Sequence, residues 1–473
     1  MNKERDTSFK IECIIVYTLI CFLFGPVSVL GENELLILDQ QKAEDIAIEN
    51  SPDLRLLGGQ QKIKALLVKE NWRSYFPTAS VSWFRNANVI ENDSESRSQR
   101  LALTLDQVVY DGGRRHLALQ AALNDLNLSK YDFLLGINNL KFKVRSAYYT
   151  LLSNKAQMEI QKRSIDRQKE QLRFAKREKQ LGDSTELQVL QIENRLNEIQ
   201  LQYKRTETSF LSGIEEFKIQ LRLPSTTNIL LAADILNGIT FSFKEIPLDQ
   251  LISIAFQSRV EFERNKAAEL QALSEFEIAK SFYIPTLSIG GYYAGSGDRF
   301  EPKQREYGFN FKLSMPIGAN TLQDTSNYIS RNDDTNKSLT STTTMNIMDN
   351  LQYKRKIAST GISAEQAKIT RKQQDDIVRI EVLKAIQNYR QCWESMILAD
   401  DNAKLFEKRL KIKEKEVSLG DAKRVDLAET EIFYLQAVNT MITSRVQYLT
   451  AVSQLEMATG TSLDSLELIK VKK

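Results

Sequence analysis

No proline lies between Pro77 and Pro224, and none follows Pro316. Proline breaks helix interiors because it lacks an amide hydrogen and its ring meets the carbonyl one turn back, so each proline-free interval is open to helices of unusual length. Arg114 to Leu181 is a run of 68 residues, about 100 Å as a helix. Its counterpart from Ile362 to Leu419 is 58 residues, about 87 Å. Globular helices seldom exceed about 25 residues, so such lengths imply a coiled coil or a helical tube.

The two intervals are copies. Shifting the sequence by 208 residues sets "AIENSPDLR" (47–55) on "AFQSRVEFE" (255–263) and "YFPTASVS" (75–82) on "YIPTLSIG" (283–290). Leu101, Leu103 and Leu105 then fall on Phe309, Phe311 and Leu313. Further along, the offset becomes 238, which places Gly182 on Gly420. One register held over such lengths is an internal repeat. The change from 208 to 238 means an insertion of 30 residues in the second copy, assigned to the Ser, Thr, Asn and Asp stretch 320–350, which reads as loop.

Composition narrows the function. Lys plus Arg (64) nearly balances Asp plus Glu (61), with no basic block, so nucleic acid is not the expected partner. His116 is the only histidine, and the cysteines at 13, 21 and 392 have no disulfide or metal spacing. No enzyme, cofactor or metal site is expected. Residues 1–31 carry a basic start, the apolar run "IIVYTLICFLF" (14–24) and a small-residue end, the pattern of a secretory signal peptide cleaved after Gly31. An uncleaved anchor is the alternative, since 13–31 is nearly long enough to span a bilayer. Any other membrane crossing has to use strands.

Strand patterning sits between the helical runs. Period-two alternation in "RLALTLDQ" (100–107) and "YGFNFKLSM" (307–315) gives each one apolar and one polar face. With "TASVSWF" (78–84) and "TLSIGGYY" (286–293) they make two hairpins, with strands about 78–88, 99–110, 286–294 and 306–316. One reading packs these hairpins on the helices; the other puts them in a membrane. Four strands cannot close a barrel, because the smallest membrane barrels have about 8. The second reading therefore requires assembly, most simply a trimer with 12 strands.

The tips Leu181-Gly182-Asp183 and Leu419-Gly420-Asp421 each follow turns crowded with Lys, Arg and Glu (Lys176, Arg177, Lys179; Lys411, Lys413, Lys415), and basic residues near a left-handed glycine cap suit the negative pole of a helix. Asp183 with Glu186 is positioned to form a capping box for the following helix. On this evidence alone each triplet is a helix-turn-helix hairpin.

The duplicated plan, "ENSPDLR", the aromatic-Pro-Thr entries "YFPT" and "YIPT", the exit "DQVVYDGGRR" and the glycine-tipped hairpins together resemble the TolC family of outer-membrane efflux proteins over residues 36–461. The resemblance implies a mainly α fold with a small β part. Duplicated helical hairpins would form a periplasmic α-barrel, and four strands per chain would enter a trimeric 12-stranded β-barrel in the outer membrane. It implies an exit duct for small molecules or unfolded proteins, partnered by a periplasmic adaptor (membrane fusion protein), an inner-membrane pump and outer-membrane lipid. A periplasmic or membrane-anchored coiled-coil structural or adaptor protein is the alternative. The chain then divides into 1–31 (signal), 32–224 (first repeat), 225–250 (linker), 251–461 (second repeat) and 462–473 (tail). Leu181, Gly182, Leu419 and Gly420 match the family's adaptor-docking tips, whereas Asp183 and Asp421 depart from its Leu or Thr. Asp426 and Glu429 match the acidic positions that ring the tube's entrance, although an ordinary solvated face is the other reading of that pair. Gln188 stands where better-known members carry an acid.

Overall fold

A computed structural model of the chain describes residues 35–88, 96–236, 238–298, 304–331, 336–461 and 469–471. The expected signal peptide and its cleavage point lie outside the described residues. The first repeat runs through strand β1 (Leu35–Leu38), helices α1 (Gln40–Asn50) and α2 (Pro52–Arg73), strands β2 (Thr78–Asn88) and β3 (Ser96–Tyr110), and helices α3 (Arg114–Leu181) and α4 (Glu186–Leu221). Two short strands, β4 (Asn228–Leu231) and β5 (Ile239–Phe241), lead to the second repeat. There α5 (Leu248–Ser258) and α6 (Val260–Lys280) precede strands β6 (Thr286–Gly297), β7 (Gln304–Ile317), β8 (Asn320–Arg331) and β9 (Asn336–Asn346). Helices α7 (Gln352–Leu419) and α8 (Arg424–Thr459) follow, and β10 (Ile469–Val471) pairs with β5.

The long helices match in the two copies. α3 and α7 have 68 residues each, and α4 and α8 have 36 each. α7 starts ten residues before the expected Ile362. Gly361 lies inside the helix, where a Cβ would stand 3.1 Å from the Phe276 ring of α6. It marks a close helix approach. α2 and α6 pack on the upper parts of α3 and α7, and α4 and α8 pack on the lower parts.

Apolar side chains close the stalk. One core gathers Leu152, Leu196, Phe217, Leu435 and Ile442 between α3, α4 and α8; a second gathers Val382, Tyr389, Tyr448 and Leu455 between α7 and α8. Tyr389 and Tyr448 are fully buried, and Phe243 stacks on Tyr389 at 5.2 Å between ring centroids.

The sheet corrects one sequence expectation. All four expected strands are present, but stretch 320–350 is no loop: it supplies β8 and β9, and the sheet runs β2-β3-β6-β7-β8-β9, antiparallel throughout. Leu101, Leu103, Leu105, Tyr307, Phe309, Phe311 and Leu313 share one face and are exposed. The other face is polar: Glu306 receives Arg100 at 2.8 Å, Arg331 at 2.9 Å and the Tyr292 hydroxyl at 2.9 Å. A sheet that buries a carboxylate on one face and shows aromatics on the other is inverted relative to a soluble sheet. No described helix is long and apolar enough to cross a membrane.

Candidate functional site

The end of the stalk away from the sheet holds both Leu-Gly-Asp triplets. α3 stops at Gly182 (φ 90°, ψ 0°) and α7 at Gly420 (φ 84°, ψ 4°). A side chain at such φ meets the backbone, which glycine avoids. The Asp183 amide donates to the Glu178 carbonyl and the Asp421 amide to the Glu416 carbonyl, both at 2.9 Å. The Gly182 and Gly420 amides donate to Lys179 and Val417 carbonyls at 3.2 Å. These are Schellman closures, which satisfy the last carbonyls of each helix. Leu181 and Leu419 stand 72% and 76% exposed, and no atom lies within 4 Å of a Cβ built on either glycine. Asp183 and Asp421 are exposed beside them.

The chain re-enters helix differently at the two tips. At the first, Thr185 is the N-cap and Gln188 its partner. The Gln188 amide donates to Thr185 Oγ1 at 3.3 Å, and Gln188 Oε1 accepts from the Thr185 amide at 3.1 Å. The expected Asp183–Glu186 box does not form, because α4 begins at Glu186, too early for that side chain to reach back over a turn. Gln188 also accepts from Ser184 Oγ at 2.9 Å, so its side chain is committed to its own tip. At the second tip, Lys423 is the N-cap and makes no side-chain cap.

Arg424 holds the second tip instead. Its Nε donates to Glu178 of α3 at 2.5 Å, its Nη1 to Gln171 at 3.0 Å, and its guanidinium lies 4.7 Å from the centre of the Phe174 ring. Asp426 and Glu429 follow, exposed and on one face of α8, and among the described residues neither forms an ion pair. A first-turn aspartate is stabilised by the positive end of the helix dipole.

Two turns into α8 lies an acid that sequence reasoning passed over. Glu431 is 2% exposed and accepts from Arg167 Nε at 2.6 Å, Ser164 Oγ at 3.2 Å and Gln168 Nε2 at 3.2 Å. Burial pushes its carboxyl above the ordinary carboxylate value, and Arg167 only partly opposes that. The signal was present: Leu427, Glu431 and Leu435 recur at i, i+4, so the glutamate occupies a core position. Arg167, Arg424, Glu170, Glu414 and Glu431 border a groove of about 250 Å³ between α3 and the second hairpin. No group of His, Cys, Asp or Glu among the described residues is placed to hold a metal ion.

The chain is thus a stalk of paired helices about 100 Å long, glycine-tipped at one end and joined at the other to a sheet with an exposed apolar face. Residues 45–212 match the family described as Outer membrane efflux protein. Solved structures agree over nearly the whole chain. The Campylobacter jejuni CmeC outer membrane channel aligns with TM-score 0.72 at 15% identity, covering 92% of this chain and 90% of that one. The Vibrio cholerae outer membrane protein VceC gives 0.71 at 10% identity, with 89% and 96% covered. The open state of the Neisseria gonorrhoeae MtrE outer membrane channel gives 0.69 at 13%, with 90% and 89% covered. No curated protein matches in sequence. At these identities the likeness is one of fold. Residues 45–212 are thus similar to the outer membrane efflux protein family, and the chain as a whole shares the fold of these solved channels.

Proposed function

We propose that three copies of the chain assemble into an exit duct of the outer membrane, its sheets forming a barrel and its helical hairpins a tube through the periplasm. The observation that carries this reading is the sheet: Trp83, Leu103, Tyr293, Phe309 and Phe311 lie on one exposed face, and water is the wrong solvent for such a surface. Lipid is the right one, and lipid tolerates no open sheet edge. A single chain ends in edges on both sides, so it has to associate.

The tips are the docking points for a periplasmic adaptor that couples the duct to an inner-membrane pump. Leu181 and Leu419 present apolar side chains at the farthest reach of the stalk, and Asp183 and Asp421 set acid beside them. Asp426 and Glu429 line the entrance. In a three-fold assembly each contributes three carboxylates, and like charges in a confined mouth focus potential. Such a duct moves cargo without catalysing a reaction, in keeping with a family of efflux channels.

Membrane fractionation and native mass measurement test the assembly. The expected result is a detergent-stable trimer in the outer-membrane fraction, with a mature N-terminus at or near Glu32. A soluble monomer overturns the reading, and a retained Met1 revives the anchored coiled coil.

A further inference from the structure

The third hairpin, β8–β9, stands where the sequence reads as polar loop. The sheet hydrogen-bond pattern passes into it without a break: Ile317 faces Asn320 across a two-residue turn, and pairing continues to Glu306 opposite Arg331. Gly318 makes that turn at φ 63°. β9 then returns along β8 from Arg331–Asn336 to Thr321–Asn346. The hairpin leaves β7 at its helix-side end and comes back to the same end, where the Asn350 amide donates to the Ala319 carbonyl at 3.1 Å and the Met348 amide to Asn320 Oδ1 at 2.8 Å. It therefore adds two full crossings of the sheet without moving the start of α7.

Two further features tie the hairpin into the sheet. Arg331 of β8 donates to Glu306 of β7, whose other oxygen holds Arg100 of β3 and Tyr292 of β6, so one buried carboxylate fastens four strands on the polar face. On the opposite face Tyr328 and Leu339 continue the row of Leu105 and Phe309, and Leu322 and Met345 continue from Met315. Between these pairs Asp324 accepts from Thr343 Oγ1 at 2.7 Å, Ser341 Oγ at 3.2 Å and Ser326 Oγ at 3.3 Å. Its carboxylate is satisfied within the hairpin, which is what a polar group facing hydrocarbon requires.

Resting on the trimer reading above, we propose that β9 is the seam strand, and that its free edge pairs with β2 of a second copy of this chain. Both edges offer 11 residues, and among the described residues neither has a second partner. Direction agrees as well: β2 climbs away from the helices and β9 descends toward them, so the new pair is antiparallel like every other in the sheet. Six strands from each of three copies give a wall of about 18 rather than about 12. Barrels of about 16–18 strands enclose an open aqueous channel. The exit is then wider than four strands per chain would allow.

Cysteine pairs across the seam test this in a Cys392→Ser background. Ser80→Cys or Ser82→Cys on β2, combined with Thr340→Cys or Thr342→Cys on β9, are all polar-face positions. Oxidation of membranes should give covalent dimers and trimers on a denaturing gel from at least one of these pairs. Asn310→Cys or Lys312→Cys on β7, combined with the same β2 positions, should give none. Cross-links from β7 instead of β9 overturn the proposal and place the third hairpin outside the wall. A trimer by native mass that yields no β9–β2 cross-link overturns it equally. A monomer by native mass removes the trimer reading itself, and the seam with it.

Discussion

The two long hairpins have the same dimensions and differ in how their tips are held. The first closes on itself: Thr185 and Gln188 satisfy each other's backbone amides, so α4 begins without help from elsewhere. The second has no side-chain cap and relies on Arg424, which reaches across to Glu178 and Gln171 of the first. Their apolar surfaces differ too. Leu187 and Leu190 are 65% and 54% exposed, whereas the equivalent Val425 is half-buried and Ala428 fully buried. Duplication preserved length and the glycine stops; side chains then made one tip self-sufficient with an apolar flank and the other dependent on its neighbour.

The most severe test of that difference is at the glycines. Gly182→Trp or Gly420→Trp should abolish coupled export while the trimer still assembles, since a left-handed residue with a Cβ costs roughly 1 kcal/mol and open space surrounds both positions. Export assays beside native mass measurement check it. Loss at both tips means both dock; loss at only one means the copies have divided the task, and full export in both variants means that the tips are only turns.

Next in size is the contact that joins α3 to α8. Arg167→Ala leaves Glu431 buried without its cation and should cost roughly 1–3 kcal/mol, below the usual figure for a fully buried pair because Arg167 is partly exposed. Thermal unfolding of the assembled protein measures it. The pH dependence has a definite sign. Burial raises the Glu431 pKa in the folded state, so the folded protein binds the proton more readily than the unfolded chain, and this group's contribution falls as pH rises from the ordinary value near 4.3 through the raised one. Glu431→Gln should flatten that part of the stability profile.

Capping gives a smaller and more local effect. Thr185→Ala should loosen the first turn of α4 by about 1 kcal/mol, while Lys423→Thr should supply the second tip with a cap it lacks and tighten α8 by a similar amount. Amide hydrogen exchange at residues 186–190 and 424–428 reads both. If Thr185→Ala leaves exchange at 186–190 unchanged, the first tip does not depend on its own cap.

Smallest is the charge at the proposed entrance. Asp426→Asn with Glu429→Gln should weaken cation selectivity and block by trivalent cations in planar bilayers, and added salt should weaken steering as the Debye length shortens to about 8 Å. No change would place both carboxylates on the outer surface and leave the channel reading intact.

Most of this arrangement was legible in the chain itself. Proline spacing set the helical intervals, the repeat set their number, and Gly182 and Gly420 marked both turns, because a residue that must adopt positive φ leaves a visible trace. Leu101, Leu103 and Leu105 fixed one sheet face by parity alone. The third hairpin left no such trace. Asp324, Ser326, Ser341 and Thr343 interrupt the apolar alternation, so the stretch looks like loop, and only the threonine run 342–344 hinted at strand. Tertiary structure decided it, because β7 offers an open edge and a strand that pairs there satisfies its backbone whatever its side chains are. Glu431 illustrates the same division: its core spacing was readable, but that Arg167 meets it from α3, 264 residues away, depended on how two helices of one chain come to lie side by side.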